Sequence, residues 1–355
     1  MKRTLLAAIL MLAAISVSGK ENINGNDSRI TYIGRSASVE GTTKFDWSGV
    51  TMIVEFEGTS LTINGVDKAS NSFNVWIDKN PSATNDKVLN LNGTNVIAKG
   101  LPKGRHTVIL QKRTEGEQGL TTIESLATDG KFLQARPLKQ RRIEFVGDSY
   151  TCGYGTESAG RDEPFRAEEE NCNLAYAEII GRFFDADVQL VSHSGRGIAR
   201  NYGGFRGETM PELYMRTFNC AKGEEWNDGS FDPAIVVIYL GTNDFSTEQQ
   251  PMFNAWYRQY SKLLDEIRRN YPEVPILCVA SKADALLGNF VEQTVKLTAL
   301  ENVYWTSIQD MAHNDTTELG ASWHPNYEGQ RKVAGLMIPY ISTITGWEMP
   351  YKPVE

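Results

Sequence analysis

Two patterns of hydrophobic and polar positions divide the chain. Before about residue 130, short apolar or alternating runs such as 51–56, 73–77 and 105–110 are separated by turn-forming residues. Such spacing is typical of antiparallel strands, so this part predicts a jelly-roll-like β-sandwich without long helices. From about residue 141, strand-like runs alternate with helical patterns, which favours an α/β fold: a parallel sheet in a three-layer α/β/α domain.

The sequence predicts three segments: a cleavable signal peptide and two folded domains. Residues 1–19 carry Met1-Lys2-Arg3 before a short apolar run and small residues, which is typical of a cleavable signal peptide. Residues 20–138 then form the β-sandwich, and residues 139–355 form the α/β/α domain. No other apolar run is long enough to suggest membrane insertion. We therefore expect an exported protein, either periplasmic or extracellular.

Two aromatic features resemble binding surfaces but are explained better by packing. An aromatic and aliphatic stripe recurs at helical spacing over 253–267, which favours packing against the sheet. Trp76 alternates with apolar neighbours, so its strand must be buried on both faces. Neither feature by itself predicts a binding site, and the sandwich is expected to be a structural domain that packs on the α/β/α domain and shapes one wall of its cleft.

Candidate chemistry lies where apolar segments stop. Ser149 follows the run 143–147, Gly195 and Asn243 follow two further strand-like runs, and His324 precedes the last predicted helix. Ligands in open α/β sheets bind at the carboxyl ends of the strands. A serine needs a neighbouring base, and a tetrahedral intermediate needs hydrogen-bond donors. The pattern predicts acyl transfer with Ser149 as nucleophile and His324 as base, while Gly195, Asn243 and the Ser149 N–H donate to the oxyanion.

These segments resemble the blocks of the SGNH (GDSL-type) hydrolases over about residues 142–344. The matching motifs are Gly147-Asp148-Ser149, Gly195, Gly241-Thr242-Asn243-Asp244 and Trp323-His324-Pro325. More narrowly, the chain resembles carbohydrate esterase family 2. That resemblance implies the same roles for Ser149, His324, Gly195 and Asn243. It also implies removal of acetyl groups from plant polysaccharides such as xylan and glucomannan, with the 6-position favoured.

The chain departs from the family where an aspartate often precedes the histidine by two or three residues. Ala321 and Ser322 stand there instead. The family resemblance allows a Ser149–His324 dyad in which the imidazole N–H donates to a backbone carbonyl. The alternative is that a more distant carboxylate folds back to orient the imidazole. The candidates for this are Asp310, Asp315 and Glu318.

Charge and the other histidines narrow the expected partners. The net charge of −8 comes from mixed acidic and basic residues, which provides no basic face for nucleic acid. His106 and His193 are interpreted as hydrogen-bonded packing residues. His313 lies near acidic residues, but no metal-binding motif surrounds it, so neither a metal nor another cofactor is expected.

Several assignments stay open at this point. Arg196, Asn201 and Tyr202 follow the predicted oxyanion glycine and could either bind sugar hydroxyls or lock the loop. Cys152 and Cys172 flank one loop, so a local disulfide between them is plausible in an exported protein. The alternative functions are a GDSL-type lipase or lysophospholipase, and a non-catalytic carbohydrate-binding protein.

Overall fold

The structure is a computed structural model that describes residues 20–67, 70–226, 229–310 and 316–355. The predicted signal peptide, residues 1–19, lies outside the described residues. In the ranges that are described, no helix has both the length and the apolar character required to cross a membrane.

The N-terminal half is an antiparallel β structure. Its strands are β1 Glu21–Asn24, β2 Thr31–Ile33, β3 Ala37–Val39, β4 Thr42–Phe45, β5 Thr51–Asp67, β6 Phe73–Ile77, β7 Lys87–Leu89, β8 Gly93–Lys112, β9 Thr121–Thr128 and β10 Lys131–Leu133. The main path through the sheet is β3-β4-β9-β5-β8-β6-β7, while β1 pairs with β9, and β2 and β10 pair with β5. The expectation of a β-rich N-terminal domain before an α/β domain is therefore confirmed.

Two long strands connect the parts of this sheet. The register of β5 against β8 shifts between Gly58 and Ser60, and β5 pairs with β2 and β10 before the shift but with β9 after it. Such bulges bend a strand and increase its twist. Side chains from both sides of the shift, including Phe56 and Leu61, belong to one apolar core. The strand β6 is buried on both faces, as the sequence indicated, because Val75 and Trp76 enter different clusters.

The C-terminal half contains a parallel sheet in the order β12-β11-β13-β14-β15. Its strands are β11 Arg142–Gly147, β12 Asp187–Ser192, β13 Ile235–Tyr239, β14 Ile276–Ser281 and β15 Val303–Ile308, followed by the short antiparallel pair β16 Leu319–Gly320 and β17 His324–Pro325. The helices are α1 Ser149–Cys152, α2 Tyr176–Phe184, α3 Met210–Leu213, α4 Phe253–Asn270, α5 Ala285–Leu297 and α6 Tyr327–Thr345.

Helices cover both faces of the parallel sheet, as predicted. Phe145 packs in the cluster with α2 and α6, whereas its neighbour Val146 packs in the cluster with α4 and α5. This alternation follows from the two-residue period of a strand. The aromatic stripe of α4 is core, because Trp256, Tyr260 and Ile267 are fully buried.

The two halves share a buried polar contact beside β11. Arg35, which follows β2, is fully buried and lies 3.6 Å from Glu144 on β11. Its guanidinium lies over the rings of Trp47, Tyr214 and Trp226 at 5.7, 4.8 and 5.4 Å. An arginine stacks well on aromatic faces while it retains its charge, so this residue joins the two halves directly behind the strand that leads to Ser149.

Candidate active site

Ser149 is placed by a sharp strand-to-helix turn. The strand β11 ends at Gly147, and the Asp148 side chain caps α1 by accepting from the Tyr150 N–H at 3.2 Å. A side chain at Gly147 would lie only 2.0 Å from the Thr151 Oγ1 atom, so the close turn requires glycine. The helix ends in left-handed Gly153, at φ 79°. Ser149 therefore lies at the first turn of α1, at the carboxyl end of a central strand.

His324 lies in β17, near the end of the C-terminal domain, and its side chain contacts Ser149. Its Nε2 atom lies 2.8 Å from the Ser149 Oγ atom, and its Nδ1 atom lies 3.1 Å from the Ser322 carbonyl oxygen. The imidazole packs against Tyr150 and Tyr154, with ring centroids 5.5 and 4.2 Å away. Desolvation in this setting lowers the pKa of His324 to about 4. The imidazole is neutral near pH 7 and can accept the serine proton.

A neighbouring loop holds the backbone before His324. Ser322 and Trp323 both have left-handed φ angles, of 51° and 64°. Their N–H groups donate to the Glu163 and Arg161 carbonyl oxygens at 3.0 and 3.1 Å. Such backbone conformations are costly for residues other than glycine and require support from their surroundings. These bonds hold the Ser322 carbonyl in the position from which it accepts from His324.

The three alternative carboxylates fall in different places. Asp310 is buried and accepts hydrogen bonds from Tyr239 and from the Ser281 hydroxyl. Glu318 forms an ion pair with Lys332 at 2.9 Å. Asp315, like His313, lies outside the described residues. Among the residues that are described, no carboxylate is hydrogen-bonded to the His324 ring, whose partners are Ser149 and backbone carbonyl groups.

The predicted oxyanion donors occupy neighbouring loops. Gly195 has a left-handed φ of 75°. A Cβ atom at this position would meet the Tyr202 Cβ atom at 3.8 Å and otherwise open space. The Asn243 amide nitrogen donates to Asp148 Oδ2 at 3.1 Å and to the Arg196 carbonyl at 2.9 Å. Burial raises the pKa of Asp148 to about 7. Both N–H groups of the Asn243 amide have protein partners, so a substrate oxygen would have to share or replace one of them.

Sequence reasoning missed two aspartates that support these loops. Asp148 enters the sequence analysis only as the middle residue of the Gly147-Asp148-Ser149 motif, yet it caps α1 and accepts from Asn243. Asp244 is buried and accepts from the N–H groups of Ile198, Ala199 and Arg200. The available signal was the position of each aspartate next to a predicted site residue, within Gly147-Asp148-Ser149 and Asn243-Asp244. Their role in holding loops depends on contacts that a linear pattern does not reveal.

The three candidate sugar-binding residues differ in what they can do. Asn201 is buried, accepts from the Gly197 N–H at 3.1 Å and donates to the Gly207 carbonyl at 2.8 Å, so it locks the loop. The Arg196 guanidinium lies 3.6 Å from Glu208. Tyr202 is 67% exposed and therefore has a ring available to a ligand.

The cysteines and the remaining histidines have local partners. All the cysteines are free thiols, so the possible Cys152–Cys172 disulfide is absent. The Cys172 thiol donates to the Lys112 carbonyl at 3.2 Å, and the Cys152 thiol lies 3.3 Å from the Ser192 hydroxyl. His106 is hydrogen-bonded to Asp78, and His193 to Asn219 and Glu117.

One group of potential metal ligands lies behind the site. Glu115, Cys152 and Glu170 are buried and bring one ligand atom each within 4.8 Å of one another. Protein donors already use this group, since a Glu115 oxygen accepts from the Ser194 N–H at 2.7 Å and a Glu170 oxygen accepts from the Glu115 N–H at 3.1 Å. Burial also raises the pKa of Glu170 well above its usual range. A protonated carboxyl is a poor metal ligand, so these residues fit an internal hydrogen-bond network better than a metal site.

Both halves of this chain are similar to known proteins. The family described as Carbohydrate esterase 2 N-terminal matches residues 32–137, and the GDSL-like Lipase/Acylhydrolase family matches residues 145–332. The cellulase/esterase CelE of Acetivibrio thermocellus is 31% identical over 318 residues, which cover 86% of this chain and 38% of CelE. An acetylxylan esterase / glucomannan deacetylase of Cellvibrio japonicus is 28% identical over 328 residues, covering 85% of this chain and 86% of that protein.

A solved structure extends the likeness to three dimensions. The family two carbohydrate esterase from Clostridium thermocellum, solved in complex with cellohexaose, has a TM-score of 0.80 and 30% sequence identity. The match covers 90% of this chain and 100% of that one. Fold and site thus define the class: this is a carboxylic ester hydrolase. Within that class, the chain belongs to the GDSL-like lipase/acylhydrolase family and to carbohydrate esterase family 2.

Proposed function

We propose that this chain is an exported serine esterase that removes O-acetyl groups from plant polysaccharides or their oligosaccharides through an acetyl-serine intermediate. The observation that carries the proposal is the 2.8 Å distance between Ser149 Oγ and His324 Nε2. A neutral imidazole at hydrogen-bond distance from a serine is the arrangement that nucleophilic acyl transfer requires.

The chemistry proceeds in two halves with the same base. The Ser149 oxygen attacks the acetyl carbonyl carbon while its proton passes to His324 Nε2. The tetrahedral intermediate collapses as the bond between the acetyl carbon and the sugar oxygen breaks, and the imidazolium returns its proton to that oxygen. Water then attacks the acetyl-serine as His324 takes one of its protons. The second collapse releases acetic acid and restores the Ser149 hydroxyl.

The negative charge of each intermediate would lie at the first turn of α1. The Ser149 N–H and the Gly195 N–H are the backbone donors proposed there, with Asn243 as a side-chain donor. Asn243 is held by Asp148 and by the Arg196 carbonyl before any substrate arrives. A negatively charged oxyanion is a stronger hydrogen-bond acceptor than the Arg196 carbonyl or a protonated Asp148. It can therefore draw one N–H of the Asn243 amide away from its present partner.

Acetylated carbohydrate is the substrate class that the relatives favour. One relative is named an acetylxylan esterase / glucomannan deacetylase, and a solved relative was crystallised with cellohexaose. Tyr202 and Trp323 are exposed aromatic residues, one beside Gly195 and the other directly before His324. Aromatic faces can pack on the apolar faces of sugar rings, so we propose both as contacts for the polysaccharide. By family resemblance, the 6-position is the favoured site of deacetylation.

NMR of acetylated glucomannan and acetylated xylan during digestion tests this proposal, because it reports both the polymer and the position of each lost acetyl group. We expect acetate release by the wild-type protein, a loss of at least about a thousandfold in Ser149→Ala, and wild-type rates in the exposed control Ser38→Ala. Equal rates for Ser149→Ala and wild type would remove the serine mechanism. Binding of either polymer without acetate release would favour the non-catalytic alternative.

Chain-length preference separates the proposed esterase from a lipase of the same superfamily. We expect faster turnover of nitrophenyl acetate than of nitrophenyl octanoate, because the proposed acyl group is acetyl. Faster octanoate turnover would favour the lipase alternative.

Export is tested separately by N-terminal sequencing of the protein made in its full-length form, where cleavage near residue 19 is expected.

A further inference from the structure

We propose that Glu115, which belongs to the N-terminal β domain, is a positioning residue for the oxyanion loop, residues 193–196. The inference rests on the proposed function, because it takes the Gly195 N–H in that loop as a donor to the reacting oxygen. It adds a residue that no motif of the hydrolase domain contains, and it gives the N-terminal domain a part in the chemistry.

The contact between Glu115 and the loop is direct. The strand β8 ends at Lys112, and the chain then turns into the 3-10 helix Gly116–Gln118. Glu115 is 2% exposed, and its Oε2 atom accepts from the Ser194 N–H at 2.7 Å. A carboxylate that accepts from a backbone N–H forms a short, strong hydrogen bond. Because Ser194 directly precedes Gly195, this bond fixes the peptide that leads into the proposed donor.

The same carboxylate oxygen also faces the helix that carries Ser149. The Cys152 thiol, at the end of α1, lies 3.6 Å from Glu115 Oε2. One oxygen atom therefore touches both the oxyanion loop and α1, which supply the two proposed backbone donors. Transition-state stabilisation depends on the relative placement of such donors, so a group that spans both elements can set their spacing.

Glu115 is itself held rigidly. Its N–H donates to Glu170 Oε2 at 3.1 Å, and its carbonyl accepts from the Nζ atom of the buried Lys112 side chain at 2.9 Å. Burial, followed by the charge of Glu115, raises the pKa of Glu170 well above its usual range, which favours its protonated form. A protonated Glu170 can donate to the Glu115 carboxylate. These bonds leave Glu115 as an acceptor at a defined position.

A second contact ties the same turn to the loop. His193 Nε2 lies 3.1 Å from Glu117 Oε1. Burial opposes the charged imidazole, but hydrogen bonds to Cys220 and Glu117 raise the pKa of His193 to about 10, so the pair is ionic near pH 7. Gly116 lies between the two glutamates, and a Cβ atom there would lie 2.6 Å from the Asn219 Cβ atom. Asn219 in turn donates to the Ser192 carbonyl at 2.8 Å. The turn thus packs closely against Asn219, which in turn holds the end of the strand that leads into the loop.

The test compares two replacements that differ in their ability to accept. Glu115→Gln retains an oxygen that can accept from the Ser194 N–H, whereas Glu115→Met has similar length and cannot accept. Arg136→Gln is the matched control, because it removes an ion pair to Asp187 at the opposite, amino-terminal edge of the parallel sheet. Turnover of an acetyl ester is measured per active site, with sites counted by a serine-directed phosphonate and folding followed by circular dichroism.

We expect Glu115→Met to lose about 10- to 100-fold in kcat, because displaced donors stabilise the transition state less, while KM changes by less than about threefold. Glu115→Gln should recover most of that kcat, and Arg136→Gln should keep wild-type kcat even if its stability falls. Equal kcat per site in folded Glu115→Met and wild type would overturn the proposal. If Glu115→Met does not fold, a loss above about tenfold in folded Glu115→Gln would overturn it instead. Ser149→Ala is assayed alongside, since only its activity bears on the proposed function itself.

Discussion

The imidazole of His324 shows how a single residue is tuned by its neighbours. Tyr150 and Tyr154 flank the ring, and desolvation lowers its pKa to about 4. Which strand ends carry reacting groups could be predicted from the sequence, because an apolar run that stops at a serine, glycine or asparagine is visible in the linear pattern. The tyrosine contacts and the Asp148–Asn243 bond could not be, since they join residues that meet only after folding.

The pH dependence of catalysis follows from this pKa. The neutral imidazole is the active form, so kcat/KM for a soluble acetyl ester should stay high at pH 6 and fall only as the pH approaches about 4. Because the unfolded histidine takes up a proton at higher pH, near its ordinary pKa of about 6.5, His324 also makes folding less stable as the pH drops through that window. Circular dichroism at each pH separates lost activity from lost fold. An activity midpoint near pH 6.5 in folded protein would contradict the account of His324.

The Ser149–His324 dyad predicts that no carboxylate orients the imidazole. We expect Asp310→Asn, Asp315→Asn and Glu318→Gln each to keep kcat within about tenfold of wild type, because the Ser322 carbonyl accepts from His324 Nδ1. Steady-state kinetics on an acetyl ester provides the measurement, with folding checked for Asp310→Asn because that side chain is buried. A several-thousandfold loss in any folded variant of the three would replace the dyad by a triad.

At the scale of elements, the site depends on close packing between the loop after α1 and the loop before His324. Gly155 has a φ of 63° just after α1, and a Cβ atom there would lie 2.7 Å from the Ala321 Cβ atom, close to β17. Parallel strands alternating with helices could be predicted from periodicity, as could the core role of α4. The contact between the loop after α1 and the loop before His324 joins segments more than a hundred residues apart, and periodicity carries no information about it.

Gly155→Ala should therefore disturb His324 without touching it. The substitution imposes both a left-handed backbone on alanine and a steric clash with Ala321, so we expect a loss of about 2–4 kcal/mol in unfolding free energy and a lower kcat. Gly93→Ala is the control, because Gly93 has a φ of 75° with open space around it. It should cost about 1 kcal/mol and leave kcat unchanged. Equal effects of the two substitutions in urea unfolding and kinetics would show that the contact with Ala321 is unimportant.

At the scale of the whole molecule, the N-terminal domain is bound to the hydrolase domain by buried polar groups. Arg35 lies behind β11, and Glu115 lies behind the oxyanion loop. The presence of two folded parts could be predicted from the change in the pattern of hydrophobic and polar positions near residue 130. Their buried junction could not, because isolated charged residues such as Arg35 and Glu115 are usually exposed and no local pattern marks them as partners.

Removal of the Arg35 charge should destabilise the whole chain. Arg35→Met leaves Glu144 buried without its cation, which typically costs about 3–5 kcal/mol. Arg105→Met is the control, since the Arg105 side chain is 65% exposed in its pair with Glu55 and should cost less than about 1 kcal/mol. Chemical denaturation measures both. A loss for Arg35→Met no larger than that of Arg105→Met would show that the junction contributes little to stability.

The serine mechanism is tested most directly by detection of the covalent intermediate on Ser149. The enzyme would be mixed with an acetylated oligosaccharide, quenched in acid during turnover, digested and analysed by mass spectrometry. A Ser149 nucleophile predicts an acetyl group on the peptide that contains Ser149, and its absence from the Ser149→Ala variant. An acetyl group on another residue, or rapid acetate release with no acetyl group on the protein under conditions where deacylation is slow, would contradict it.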